Sequence, residues 1–311
     1  MNLTLRELRV FRAVYELRSF STASGAMHMT QSAVSKVCQE MEAKVGGVLF
    51  ERSSRKMAPT SLADHLYGYA CEILGTMDAA ERSLRSLLDL DVGELRIAAS
   101  PMMMHGLLTG PVRTFHGRHP GVRIGLHELS TDETVAHVIS GQVDFGLASI
   151  RQPHPKLSIE PLYEERMQLV CAGDHVLASQ AEVSWEQAAA HPHISLHRSF
   201  SVRSTVDGIH ALKGLEVASV IEAGSVLSVL ALVQAGLGVA VLPGYIEAFA
   251  TDLGLACRAL PAADCSHPIA LIQRWNARPS MAADLMISLL KASLAGRRAA
   301  LAAIDFINEP G

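Results

Sequence analysis

Hydrophobic residues follow a helical period up to about position 90, and beyond it short apolar runs alternate with helical stretches. Leu5, Leu8, Phe11, Val14 and Tyr15 share one helical face. Thr4-x-x-Glu7 has the form of a capping box, in which two side chains satisfy each other's open backbone N–H groups, so a first helix is expected to run to about Leu17. After a short segment over 22–27 and a turn at His28-Met29, Thr30 can cap a second helix. Its apolar positions Ala33, Val34, Val37, Met41 and Val45 face one way, Gln31, Ser32, Ser35, Lys36 and Gln39 largely the other, and Gly46-Gly47 ends it. Two helices joined by a tight turn, the second with a polar outer face, meet the requirements of a helix that enters a DNA major groove.

Residues 48–52 read as a strand, 53–56 as a turn and 57–60 as a second extended piece, a hairpin whose tip carries Arg52, Arg55 and Lys56. Such cations suit phosphates or a neighbouring minor groove. From 61 to about 90 no proline intervenes, and Leu62, Leu66, Ala70, Ile73, Met77, Ala80, Leu84 and Leu87 form a near-heptad seam. The seam fits packing on the helix's own domain or on a second copy; the second is favoured, because a helix-turn-helix covers two half-sites with a symmetric partner.

Strands are expected at 95–99, 122–129, 143–148, 167–172, 238–242 and 268–273. Ser100-Pro101 opens a helix after the first of these, Ser130-x-x-Glu133 is a second capping box, and Gly224-Ser225 precedes a helix over 226–235. Repeated β-α-β units imply parallel-rich sheets with crevices at the strand ends. The fold class is therefore α/β, preceded by an α+β winged helix-turn-helix.

Charge sharpens the division. The net charge is −4, yet residues 1–61 carry +4 and the rest −8, a basic head on an acidic body, as expected if only the head meets phosphate. No run of about 18 apolar residues and no basic-then-apolar start suggests export, so a cytoplasmic protein with no membrane partner is expected. Five scattered cysteines without a C-x-x-C pair read as buried thiols. His191, His193 and His197 lack carboxylate or thiol neighbours at ligand spacing and read as a polar surface loop, with no metal expected. Met102, Met103 and Met104 read as core, with Met102 able to line a crevice. No nucleophile–base constellation is present, so no enzyme is expected.

The stretch Phe20-Ser21-Thr22-Ala23-Ser24-Gly25-Ala26-Met27-His28-Met29-Thr30-Gln31-Ser32-Ala33-Val34-Ser35-Lys36, followed by Leu49-Phe50-Glu51-Arg52 and Pro59-Thr60, resembles the N-terminal signature of LysR-type transcriptional regulators. His119-Pro120-Gly121-Val122, Gly141-x-Val143-Asp144-Phe145-Gly146-Leu147-Ala148 and Val233-x-Ala235-Gly236-Leu237-Gly238-Val239-Ala240-x-Leu242-Pro243 resemble that family's effector domain. The resemblance implies a type 2 periplasmic-binding-protein-like effector module of two subdomains, a coinducer between them and a homotetramer. It places DNA reading on Gln31, Ser32, Ser35 and Lys36, and on Arg52 and Arg55 of the wing. Ser32 stands where many members have proline, which bears on base preference.

The expected division is a winged helix-turn-helix over 1–61, a linker dimerisation helix over 62–90, an effector domain over 91–295 and a tail with a short helix over 296–311. Subdomain I takes 91–162 and 266–295, subdomain II 163–265. Effector contacts are expected from Ser100, Met102, Ser130, Thr131, Phe200, Ser201, Arg203 and Ser225, with a small organic acid as coinducer and no other cofactor. Double-stranded DNA with an interrupted palindrome and a second copy of the chain are the expected partners, and RNA polymerase is a further candidate. Two alternatives stand beside this reading: a redox sensor using Cys257 and Cys265, and a solute-binding protein, for which residues 1–61 have no use.

Overall fold

A computed structural model of the chain describes residues 2–52, 57–88, 93–150, 152–217, 219–261 and 267–307. The chain divides into two compact units, Met1–Leu84 with Ile139–Gln142, and Arg85–Val138 with Val143–Gly311. The first contains α1 (Leu5–Leu17), α2 (Phe20–Ala26), α3 (Gln31–Val45), β1 (Phe50–Arg52), β2 (Met57–Pro59) and most of α4 (Ser61–Leu88). The hydroxyls of Thr4, Ser19 and Thr30 accept hydrogen bonds from first-turn N–H groups of α1, α2 and α3, satisfying donors that a helix leaves open. Glu7 closes the first cap and receives a 2.6 Å ion pair from Lys44 of α3. That bond, then the Thr4 N–H, holds its carboxyl below the usual carboxylate range.

Phe50 joins the hairpin to the helices: its buried ring lies 5.6 Å from Phe11 and 5.8 Å, edge-on, from Phe20. Helix α4 serves two surfaces. Ala63, Ala70 and Leu74 are buried in the unit's own core, while the adjoining stripe Leu62, Tyr69, Ile73, Met77 and Leu84 is exposed. Ala70 therefore leaves the expected seam, and Tyr69, 62% exposed, joins it.

In the second unit come β3 (Gly93–Ala99), α5 (Pro101–Met103), a π-helical turn (Met104–Leu108), α6 (Thr109–Arg118), β4 (Val122–Glu128), α7 (Thr131–Ile139), β5 (Phe145–Ala148), β6 (Leu157–Glu165) and β7 (Met167–Ala172). There follow α8 (Trp185–Ala189), β8 (His193–Leu196), α9 (Ser201–Lys213), β9 (Ser219–Ala223), α10 (Val226–Gln234), β10 (Ala240–Pro243), α11 (Glu247–Asp252), β11 (Leu255–Ala259), β12 (His267–Arg274) and α12 (Met281–Ile307). A five-stranded sheet has the order β4-β3-β5-β12-β6, and a second runs β10-β7-β11, flanked by the pair β8-β9 through a bridge from His193 to Val239.

The expected parallel-rich sheets are in fact mixed. Strand β3 runs parallel to β4 and β5, but β12 is antiparallel to β5 and β6, and β7 is antiparallel to β10 and β11. The chain leaves the first sheet along β6, builds the second and returns through β12, which must enter from the opposite direction. Strand β6 reaches Glu165, past the expected limit at 162, and the residues after 295 continue α12 instead of forming a separate helix. Helix α7 packs so closely on β5 that a Cβ on Gly146 would lie 2.6 Å from the Thr134 methyl. Among the described residues no helix is long and apolar enough to cross a membrane.

The histidine loop also differs from expectation, because His193 is buried in β8. Its Nε2–H donates to the Ala188 carbonyl at 2.9 Å, and its ring meets His210 edge-on at 5.5 Å, while Trp185 also meets His210 edge-on at 5.8 Å. Burial, reinforced by His193, pushes His210 down to about 4. An unfolded chain then takes up the proton first as pH falls, so this contribution to stability is complete above about pH 6.5 and is lost towards pH 4. Its upper bound is about 3 kcal/mol. Urea midpoints at pH 7.5 and 5.0 are expected to differ more for the wild type than for His210→Phe; equal pH dependence in both would refute the assignment.

Candidate functional site

Helix α3 is fixed from behind by Val34, Cys38 and Met41, all buried, and from its start by Thr30. Its outer face presents Gln31, Ser32 and Lys36 exposed, with Ser35 half-buried. Ser32 shares a 3.0 Å hydroxyl contact with Thr30, and Lys36, 77% exposed, lies 3.9 Å from Glu40, a pair too open to tie it down. Glu42, on the same helix, accepts from the N–H groups of Leu49 and Phe50 at 2.8 and 3.2 Å and so aims the hairpin. Arg52 ends β1; Arg55 and Lys56 lie outside the described residues.

In the second unit, the parallel strands β3, β4 and β5 end at one edge of the sheet, which places Ser100, Ser130 and Ser149 just beyond them. Ser100 caps α5 by accepting from the Met103 N–H, and Met102 is buried in the core behind it. Ser130 is taken: its hydroxyl donates to Glu133 at 2.7 Å and its N–H to the same carboxylate at 2.9 Å, which holds Glu133 below its usual range. Thr131 begins α7 beside it.

From the other sheet's side, Phe200 is the N-cap of α9, half-buried against the core and without a side-chain cap bond, and Ser201 opens the helix. Arg203 is engaged within its own half, pairing both oxygens of Asp207 at 2.8 and 2.9 Å and Glu222 at 3.0 Å. Ser225 caps α10. The contact that spans the crevice was missed by sequence reasoning. His267, fully buried at the start of β12, has its Nδ1 3.2 Å from the Thr205 hydroxyl of α9 and 3.4 Å from the Ser149 hydroxyl after β5. Three residues so far apart in the chain leave no common motif to find.

Cys257 is half-buried, and burial pushes its thiol up to about 12, which leaves little thiolate at neutral pH. Its suggested partner Cys265 lies outside the described residues. On the far edge of the first sheet, α6 and β4 border a groove of about 810 Å³, with Leu108, Val112, Ile124 and Leu126 along it and Arg113 and Arg123 among its lining.

Residues 89–295 match the family described as "LysR substrate binding domain", and residues 5–64 that described as "Bacterial regulatory helix-turn-helix protein, lysR family". The chain belongs to the LysR family of transcriptional regulators. This regulator is 30% identical over 243 residues to a "Probable RuBisCO transcriptional regulator" of Cyanidioschyzon merolae, covering 76% of this chain and 80% of that one. Its fold is similar to a full-length OxyR variant from Pseudomonas aeruginosa, with a TM-score of 0.70 at 20% identity, covering 94% and 95% of the two chains. It is also similar to full-length CbnR solved with its target DNA, with a TM-score of 0.69 at 22% identity, covering 94% and 100%. As a LysR-type regulator it combines a DNA-binding helix-turn-helix with an effector-binding domain, and its α3 and its sheet-edge crevice occupy those two matched regions.

Because Arg203 sits between two half-exposed carboxylates, the regulator's Arg203→Met variant is expected to lose about 1–2 kcal/mol of stability, screened by solvent at the partners. Chemical denaturation measures it. A variant as stable as the wild type would show that the guanidinium is not a structural brace.

Proposed function

We propose that this regulator binds an interrupted palindrome as a two-fold assembly joined through α4, and that a small carboxylate in the crevice controls its activity in the cytoplasm, by binding and without chemical conversion. The observation that carries the DNA reading is the α3 face, rigid behind and open in front. Gln31 suits a bidentate contact to adenine and Lys36 a guanine or a phosphate, with Ser32 and Ser35 beside them. Arg52 and Arg55 would hold phosphates or enter the minor groove from the wing. The exposed stripe Leu62, Tyr69, Ile73, Met77 and Leu84 supports α4 as the dimer contact. A second self-contact, leading to a tetramer, is supported by the α6/β4 groove, which carries Arg113 and Arg123 with Leu126 exposed, and by the exposed Leu212, Val220 and Glu216 of the other half.

For the effector, Ser100, Thr131, Phe200 and Ser201 are the proposed contacts, an apolar body resting on Phe200 and the anion facing hydroxyls and helix starts. Ser130 and Arg203 would join only by releasing Glu133, or Asp207 and Glu222. Met102 would act from the core wall and Ser225 from the start of α10.

Gln31→Ala is expected to relax base preference, while Arg55→Ala weakens specific and random DNA alike and lowers the salt slope by about one if it holds one phosphate. Footprints and salt titrations decide; equal losses for Gln31→Ala on both DNAs would place the recognition surface elsewhere. Light scattering tests assembly: Leu126→Glu should stop association at the dimer and Ile73→Glu should yield monomers, and unchanged mass in both would remove these contacts.

A further inference from the structure

The helix geometry around Thr205 suggests a direction for the hydrogen bonds of His267. Thr205 has one hydroxyl proton, and it is donated to the Ser201 carbonyl one helical turn back, at 3.1 Å. With its proton on the Ser201 carbonyl, the Thr205 oxygen accepts from His267, an assignment that puts the proton on Nδ1. The Ser149 oxygen, at 3.4 Å from the same nitrogen, shares that N–H as a second acceptor. With Nδ1 protonated, no other contact within hydrogen-bond distance among the described residues takes the Ser149 proton. One N–H is thus divided between a residue that follows β5 of the first sheet and one on α9 beside the second, with the shorter contact on the α9 side.

We infer that His267 is a positioning residue for effector recognition: it holds the Ser149 oxygen so that the Ser149 O–H points its proton at an anion in the crevice, and it carries the effect of binding across to α9. The inference rests on the carboxylate reading above and deepens it. A carboxylate that accepts from Ser149 makes the Ser149 oxygen a better acceptor, because hydrogen bonds in a chain polarise one another. The shared N–H then shifts towards Ser149 and away from Thr205. Binding on the first sheet's side so weakens the attachment of α9 to β12. A ligand offering only donors cannot drive this shift, since it gives the Ser149 proton nowhere to go.

Deuterium exchange on the full-length protein tests the arrangement without any ligand. His267→Phe is expected to speed exchange in residues 201–206 about fivefold, the effect of losing one hydrogen bond, and His267→Gln, which keeps an N–H donor, to restore most of the protection. Thr205→Val, close to threonine in shape, should reproduce the His267→Phe result and stands in for it if that variant does not fold. In a second arm, benzoate, salicylate and succinate are titrated into wild type and Ser149→Ala. A carboxylate that binds should slow exchange around 145–150 and speed it at 201–206 in the wild type alone. Unchanged exchange in His267→Phe and Thr205→Val overturns the inference, as does equal carboxylate binding by Ser149→Ala. If the variants behave as expected but none of the three acids binds, the His267 contact stands and the carboxylate reading loses its support.

Discussion

The return of β12 into the first sheet, antiparallel between β5 and β6, is the constraint on which the effector-binding unit depends. A strand that arrives from the second sheet can pair there only if the chain crosses between the sheets twice, once after Glu165 and once before His267. Both crossing points are buried and polar. Glu165, 1% exposed, accepts from the Tyr163 hydroxyl at 3.0 Å and from the Arg166 N–H at 3.1 Å, and His267 lies opposite it in register. Polar groups buried at a crossing must be satisfied locally, which ties the geometry of the crossing to the crevice beside it.

That crevice is built from strand ends and helix starts, places where backbone donors are open by construction. Yet most of those donors are already occupied. Ser100, Ser130 and Ser225 cap their own helices, and Glu133 supplies an intramolecular carboxylate at α7. Helix α9, whose N-cap is a phenylalanine, lacks such a side-chain bond. The start of α9 thus differs from those of α5, α7 and α10 in having no side-chain cap.

The DNA-binding unit depends on a different arrangement, a core in which Phe11 of α1, Phe20 of α2 and Phe50 of the hairpin meet, with Val34 and Met41 of α3 in the same cluster. Glu7 and Lys44 add an ion pair from α1 to α3 at the margin. The polar face of α3 stays exposed because the opposite face is buried in the unit's core. Helix α4 extends this logic, spending one stripe on the core and leaving the next exposed.

The sequence alone determined the helix-turn-helix, the hairpin, the long helix and most strands with continuous apolar runs, because caps, glycines and periodicity are local and each residue's preference acts within a few neighbours. It also determined the division into a basic head and an acidic body. Strands β6, β8, β9 and β11 were not legible: β9 alternates half-buried and exposed positions, and the His193-containing β8 is short and looks polar. The mixed sheets, the burial of His193, the loss of Ala70 from the exposed seam and the engagement of Arg203 were decided by tertiary structure, since each depends on which distant surface a residue meets. The same holds for Ser149, Thr205 and His267, which no spacing connects, because a hydrogen bond between residues 62 and 118 positions apart exists only once β12 has returned to its sheet.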